Sequence, residues 1–179
     1  MKQNIVLIGI MGCGKTSLGK ELAKRLSMTF VDMDEWIEAE AKMTITEMFT
    51  QFGESYFRDQ ETELCHRLSE QSGLVISTGG GIVDRPENME TLGRTGHILF
   101  LDRDPQIILR TIDASNRPMI RENPQRLLEL HQQRLPLYRK YGDVIVTNKG
   151  TLDEAMSSLM NLTHAWQKVV LSCGESIRS

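Results

Sequence analysis

The chain has 179 residues, 40% of them hydrophobic and 25% charged, with a formal net charge of −3. This composition is typical of one soluble globular domain, which we expect to extend over residues 1–179. The slightly negative charge argues against a general nucleic-acid-binding protein, and no apolar run approaches the roughly 20 residues that span a membrane. The first residues lead straight into an apolar strand without a signal-peptide pattern, so we expect a cytoplasmic protein.

The first predicted strand leads directly into a phosphate-binding loop. Residues 5–8 form an unbroken apolar run, as in strands that are buried on both faces, and residues 9–16, GIMGCGKT, fit the G-x-x-x-x-G-K-[ST] pattern. Helical spacing follows from about residue 15 to residue 26. In such a loop, backbone N–H groups and the helix N-terminus bind phosphate oxygens. A turn that merely joins strand to helix is the alternative.

This pattern predicts the residues that contact a nucleotide. Lys15 supplies a positive charge for the β- and γ-phosphates, and the hydroxyl of Thr16 is placed to bind Mg²⁺. The loop residues that we expect to contact ATP are Gly12, Cys13, Gly14, Lys15, Thr16 and Ser17. Cys13 belongs to an odd set of three cysteines without metal-ligand spacing, so we expect reduced thiols.

Two carboxylates follow the second predicted strand. Asp32 and Asp34 come directly after Phe30 and Val31. Ligands of open α/β sheets gather at the carboxyl ends of the strands, so both carboxylates should face the same crevice as the phosphate loop. The alternative is that they only begin the next helix, whose N-terminal end favours negative charge.

Two helices are predicted next. Thr44 and Glu47 have the spacing of a capping box, and Gly53 should end the short helix that they begin. A longer helix then carries Glu61 among apolar residues at helical spacing, with Arg58 near its beginning. By position alone, Arg58 would be an ordinary solvated side chain.

The third predicted strand, residues 74–77, runs into three consecutive glycines, Gly79, Gly80 and Gly81. Three glycines cost backbone entropy, which is easiest to explain where a ligand or another backbone comes very close. A flexible turn is the alternative.

The rest of the chain continues the alternation of strands and helices. Strands that alternate with helices predict an α/β fold, with a five-stranded parallel sheet flanked by helices on both faces. The phosphate loop, the two aspartates and the glycines would then line one edge. The remaining predicted elements are a short helix from Arg85-Pro86, a strand at 97–101, a helix from Pro105 that includes Arg110, a polar loop at about 114–124, a helix from Asn123-Pro124 to Tyr138-Arg139, a strand at 144–146, a helix at 151–164 and a loose tail at about 172–179.

These motifs, taken in order, resemble the shikimate kinase family, which has the P-loop kinase fold of nucleoside monophosphate kinases. The resemblance extends from the first strand to about residue 162. It implies the ATP-dependent phosphorylation of the 3-hydroxyl of shikimate, a step of chorismate and aromatic amino acid biosynthesis. It rests on GIMGCGKT, DMD at 32–34, Phe57-Arg58 followed by Glu61, STGGG at 77–81, Arg117-Pro118 and a helix that ends in Leu137-Tyr138-Arg139.

The resemblance also implies roles for individual residues. Lys15 and Thr16 would bind the phosphates and Mg²⁺, with Asp32 contacting the metal through water. Asp34 would bind the shikimate hydroxyls within a substrate-binding segment at about 33–61, and it is the candidate to accept the proton of the 3-hydroxyl. The resemblance further implies that Arg58 and Arg139 bind the shikimate carboxylate and that Gly79, Gly80 and Gly81 lie against the shikimate ring. Arg117, on a mobile lid at about 114–124, would contact the transferring phosphoryl group. Arg110 and Pro118 would flank the adenine.

Two other functions fit part of the pattern. A gluconate-type kinase of the same fold also needs an arginine clamp for a carboxylate. A non-catalytic nucleotide-binding switch would need the phosphate loop but not the full set of Lys15, Thr16, Asp32, Asp34 and Arg117. We expect ATP and shikimate to bind a monomer that binds neither nucleic acid nor membrane.

Overall fold

The chain forms a five-stranded parallel sheet in a computed structural model that describes residues 2–111, 123–151 and 153–163. The strand order is β2-β3-β1-β4-β5, and every neighbouring pair is parallel. The predicted fold class is therefore confirmed. The strands are β1 (Asn4–Ile8), β2 (Thr29–Asp32), β3 (Leu74–Ser77), β4 (Gly96–Asp102) and β5 (Val144–Thr147).

Helices lie between successive strands. Within the described part of the chain, none of them is long and apolar enough to cross a membrane. A 3₁₀ turn, Ile82–Asp84, which the sequence did not predict, follows the three glycines. The helices are α1 (Lys15–Leu26), α2 (Met33–Ala41), α3 (Ile45–Phe52), α4 (Glu54–Ser69), α5 (Pro86–Thr95), α6 (Pro105–Thr111), α7 (Pro124–Tyr141) and α8 (residues 153–163).

Local sequence signals account for several helix ends. Thr44 and Glu47 form the predicted capping box at the start of α3, and Gly53 ends that helix with a φ of 83°. The Gln106 amide donates to Asp104 Oδ1 over 2.8 Å at the start of α6. These contacts satisfy N–H groups that the first turn of a helix leaves without partners.

The central strand β1 places the functional loops. All five of its residues are buried, because β3 and β4 pair with its two edges and helices cover its faces. Both the amide and the hydroxyl of Thr78 donate to the Leu7 carbonyl, over 3.2 and 2.9 Å. The segment after β3 therefore starts beside the end of β1, where the phosphate loop begins.

Two predicted segments fall largely or wholly outside the described residues. Of the lid at about 114–124, residues 114–122 lie outside them, including Arg117 and Pro118. The predicted tail at 172–179 lies outside them as well.

Gly19 of α1 packs closely against side chains of β1 and β2. A Cβ there would be 2.6 Å from Phe30 Cε2 and 3.1 Å from Leu7 Cδ1. Alanine favours a helix over glycine by about 1 kcal/mol, but overpacking costs about 1–3 kcal/mol. We therefore expect Gly19→Ala to lower the free energy of unfolding by about 1 kcal/mol in urea denaturation. Gly93→Ala in α5 is the matched control, because its Cβ would meet the flexible end of Ile98 at 3.3 Å. Equal stabilisation by both substitutions would contradict this account.

Candidate active site

The phosphate loop has the backbone shape that its glycines permit. Gly9, Gly12 and Gly14 have φ values of 143°, 78° and 104°, which L side chains rarely adopt. Lys15 is 8% exposed, and its ammonium group donates to the carbonyls of Gly9 and Ile10 over 2.8 and 3.1 Å. The positive charge of Lys15 is thus fixed at the loop, beside the N-terminus of α1.

Asp32 has two functions at the end of β2. Its Oδ2 accepts a hydrogen bond of 2.8 Å from the Thr16 hydroxyl, while its Oδ1 accepts from the amides of Asp34 and Glu35, over 3.1 and 3.4 Å. One oxygen of Asp32 therefore caps α2, while the other accepts a hydrogen bond from the phosphate loop, in the crevice where the carboxylate was expected. A hydroxyl and a carboxylate are oxygen donors of the kind that Mg²⁺ prefers, so the chemistry of this pair fits that ion.

Two cavities meet at this edge of the sheet. The first, of about 330 Å³, is lined by the phosphate loop and the ends of β2 and β3. The second, of about 380 Å³, lies among the three-glycine segment and helices α2, α3, α4 and α7. Met11, Asp34 and Gly80 line both cavities. Asp34 therefore lies where molecules bound in the two cavities would meet.

An ion pair with one fully buried partner lies in the wall of the second cavity. Arg58 Nη1 donates to Glu61 Oε2 over 2.6 Å, and Arg58 Nη2 donates to Glu54 Oε1 over 2.7 Å. The Glu61 side chain is completely buried, and its Oε1 has no hydrogen-bond partner in the described part of the chain. Burial raises the pKa of Glu61 to about 7, the Arg58 charge opposes this rise, and the Asp34 charge adds to it.

A second arginine lies in the wall of the same cavity. Arg134 of α7 is 9% exposed, and its Nε and Nη2 donate to the Asp84 carboxylate over 3.1 and 2.6 Å. The predicted carboxylate ligand Arg139 is exposed in the last turn of α7 and does not line the cavity. The physical reason is helix rotation, because five residues turn the side chain by about 140°. The structure thus brings Arg134, rather than Arg139, to the cavity of Arg58.

Two of the three glycines, Gly79 and Gly81, are packed against charged side chains that line or border the cavities, and Gly80 is packed against the phosphate-loop backbone. A Cβ on Gly79 would lie 2.6 Å from Glu61 Oε1 and 2.9 Å from Asp34 Oδ1, and one on Gly81 would overlap the Arg58 guanidinium. Side chains at these positions would displace the groups that line the cavity. Close approach therefore explains the glycines better than the alternative of a flexible turn.

The other predicted ATP contacts fall into three groups. Cys13 does not line the phosphate cavity, because its side chain is fully buried beneath the loop, and Cys13 and Cys65 are both free thiols. Arg110 is exposed on α6, whereas Arg117 and Pro118 lie outside the described residues. The loop residues that line the phosphate cavity are Gly12, Gly14, Lys15, Thr16 and Ser17.

The spacing of two charged residues among apolar residues already indicated that they are buried, but this was not part of the sequence predictions. Glu61 lies four residues after Phe57 and three before Leu64, within the apolar stripe of α4. Arg134 lies seven and four residues after Leu127 and Leu130, which are both buried on α7. A charged residue at core spacing is buried only with a partner, so these positions indicated paired groups.

The raised pKa of Glu61 predicts a pH-dependent stability. Because this pKa rises from 4.5 to about 7 on folding, the stability that Glu61 contributes is fully present below about pH 4.5 and lost as the pH rises through 7. The loss amounts to about 3 kcal/mol. Glu61→Gln removes this titration, so wild-type stability should fall relative to the variant between pH 5 and 7.5 in urea denaturation. A difference that stays constant over this range would refute the prediction.

Comparison with known proteins gives a consistent family. A family model described as shikimate kinase matches residues 11–176. The chain is 40% identical over 162 residues to a shikimate kinase of Clostridium botulinum, covering 90% of this chain and 98% of the relative. It is 45% identical over 158 residues to one from Thermodesulfovibrio yellowstonii, covering 87% and 91%. A solved structure of shikimate kinase from Acinetobacter baumannii in complex with shikimate superposes with a TM-score of 0.84, at 35% identity, covering 92% of this chain and 94% of that one.

Proposed function

The chain belongs to the shikimate kinase family, a family of phosphotransferases that act on a shikimate hydroxyl, and we propose how its residues carry out the transfer from ATP to the 3-hydroxyl. One observation carries the proposal. A cavity lined by two largely buried guanidinium groups, those of Arg58 and Arg134, adjoins the phosphate loop, and Asp34 lies on the border between cavity and loop. Guanidinium groups suit the carboxylate of the acceptor, and the phosphate loop suits the triphosphate of the donor.

The phosphate loop positions the donor. The N–H groups of the loop and the start of α1 bind the phosphate oxygens, and the Lys15 ammonium interacts with the β- and γ-phosphates. The Thr16 hydroxyl would bind Mg²⁺, with Asp32 contacting it through water. The metal ion, when bound, neutralises phosphate charge. Arg110 and Pro118 would flank adenine.

The second cavity positions the acceptor. We propose that Arg58 and Arg134 bind the shikimate carboxylate, because both line this cavity. Each guanidinium group is held in place by a carboxylate of the protein, Glu61 for Arg58 and Asp84 for Arg134. The backbone of Gly79, Gly80 and Gly81 would lie against the ring. Arg139 remains the alternative clamp residue that the resemblance implied.

Asp34 is placed to act between the two cavities. It would accept a hydrogen bond from the 3-hydroxyl of shikimate and take its proton as that oxygen attacks the γ-phosphorus, while the leaving oxygen remains with ADP. Little covalent chemistry falls to the protein, so positioning and charge neutralisation account for most of the rate. Arg117 would reach the transferring phosphoryl group from the lid at about 114–124, whose closure would exclude water.

We further propose that residues 1–179 form one domain and act as a cytoplasmic monomer without a nucleic-acid partner. Size-exclusion chromatography with light scattering measures the oligomeric state, and a measured mass twice that of the chain would contradict the proposed monomer.

The reaction itself is tested by ADP release from MgATP. We expect release to require shikimate, with gluconate inactive as the parallel acceptor, and phosphorus NMR should show one new phosphate monoester. Lys15→Ala should abolish transfer and leave the fold intact, as circular dichroism would show, because Lys15 acts on the phosphates. Release stimulated by gluconate alone would reassign the acceptor, and nucleotide binding without any transfer would favour a switch.

The two guanidinium groups are tested by a set of three alanine substitutions. We expect Arg58→Ala and Arg134→Ala each to raise the KM for shikimate by at least about tenfold, since each removes a charge-assisted hydrogen bond to the carboxylate. The KM for ATP should change little. Arg139→Ala is the discriminating variant, because that side chain lies outside the cavity. An increase of this KM in Arg139→Ala but not in Arg134→Ala would reverse the assignment of the clamp.

A further inference from the structure

We infer that Asn148, which follows β5, is a positioning residue that fixes the direction of the Gly14 amide in the phosphate loop. The inference rests on the proposed function, because it concerns the same nucleotide site. Asn148 does not line the phosphate cavity, so any effect that it has on bound phosphate is transmitted through the loop.

The Asn148 side chain is fixed against the loop from behind. It is 1% exposed, and its Nδ2 donates to the Cys13 carbonyl over 2.9 Å. Its own backbone amide donates to the Asp102 carbonyl over 2.8 Å, at the end of β4. A Cβ on Gly14 would lie 3.1 Å from the same Nδ2. The amide group therefore packs directly under the Cys13–Gly14 peptide and is held there by the sheet.

Because a peptide unit is planar, the contact with the Cys13 carbonyl also fixes the direction of the Gly14 N–H. The carbonyl of Cys13 and the N–H of Gly14 belong to one planar trans unit and point in opposite directions. With the carbonyl directed at buried Asn148, the N–H is directed away from it, to the side on which Gly14 and Lys15 line the cavity. Gly14 has a φ of 104° and no side chain to restrict it, so its peptide needs an external contact to keep one direction.

The other polar atom of the Asn148 side chain lacks a hydrogen bond in the described structure. Its Oδ1 is buried and has no hydrogen-bond partner among residues 2–111, 123–151 and 153–163. A buried acceptor without a partner costs stability, so stability alone would favour an apolar side chain here. The hydrogen bond to the loop is the feature of Asn148 that an apolar residue could not reproduce.

The chain provides a matched control for this contact. Asn88 on α5 is also 1% exposed, and neither polar atom of its side chain has a hydrogen-bond partner in the described structure. Asn88→Ala and Asn148→Ala therefore remove the same buried amide, once away from the site and once beneath the phosphate loop. If Asn148 had only a structural role, the two substitutions should have the same effect on ADP binding.

The experiment is calorimetric titration with ADP, together with steady-state kinetics. We expect Asn148→Ala to weaken ADP binding and to raise the KM for ATP by roughly tenfold, because one N–H to phosphate is no longer held in direction. The KM for shikimate should be unchanged. Asn88→Ala should leave all three values unchanged. ADP affinity in Asn148→Ala equal to that of the wild type, or an equal loss in Asn88→Ala, would overturn the inference.

Failure of the inference can be told apart from failure of the proposed function. If the wild-type protein does not bind ADP, both fail, whereas wild-type binding with an unchanged Asn148→Ala refutes only the inference. If Asn148→Ala does not fold, Asn148→Asp replaces the donor with an acceptor at the same volume and should weaken ADP binding at least as much. In wild-type protein labelled with ¹⁵N-glycine, the Gly14 amide resonance should shift when ADP is added, and an unmoved resonance would overturn the inference.

Discussion

The candidate site depends on one junction, at which the amide and the hydroxyl of Thr78 both donate to the carbonyl of Leu7. These bonds continue the pairing of β3 with β1 beyond the last strand residue, so the three glycines run past the phosphate loop. Met11 N lies 3.3 Å from the point that a Cβ on Gly80 would occupy. The two cavities consequently share a wall, and Asp34 lines both. A kinase requires this closeness, because the transferred group moves directly between its two substrates.

The carboxylates around the second cavity contribute more to the orientation of its guanidinium groups than to the stability of the fold. Glu61 is completely buried against Arg58, and Asp84 holds Arg134 through hydrogen bonds from two guanidinium nitrogens. Removing charged groups from water costs several kcal/mol per ion, so a buried ion pair is weak evidence for net stabilisation. What such pairs do supply is a fixed direction for a planar guanidinium group. Two guanidinium groups held in this way would lose little side-chain entropy on binding the carboxylate that we propose for this cavity.

The parts of the site that could be predicted from the sequence are those fixed by residues close together in the chain. The phosphate loop, the cap at Asp32 and the five strands depend on short patterns, and the structure places them as expected. The choice between Arg134 and Arg139 depends instead on how α7 is rotated against the sheet. That rotation is set by the buried side chains of the helix. A motif that ends in Arg139 therefore identified the helix but not the face that lines the cavity.

The two glycine-rich segments show why such contacts are hard to find in a sequence. Glycine allows the backbone to approach a ligand closely, but it cannot hold its own peptide in one direction. In both segments a later residue fixes a carbonyl: Tyr138 donates to Gly80 O over 2.5 Å, and Asn148 donates to Cys13 O. The partners are 58 and 135 residues apart. The motifs thus identify the two loops that line the cavities, while the groups that hold these loops come from the second half of the chain, where no local pattern indicates them.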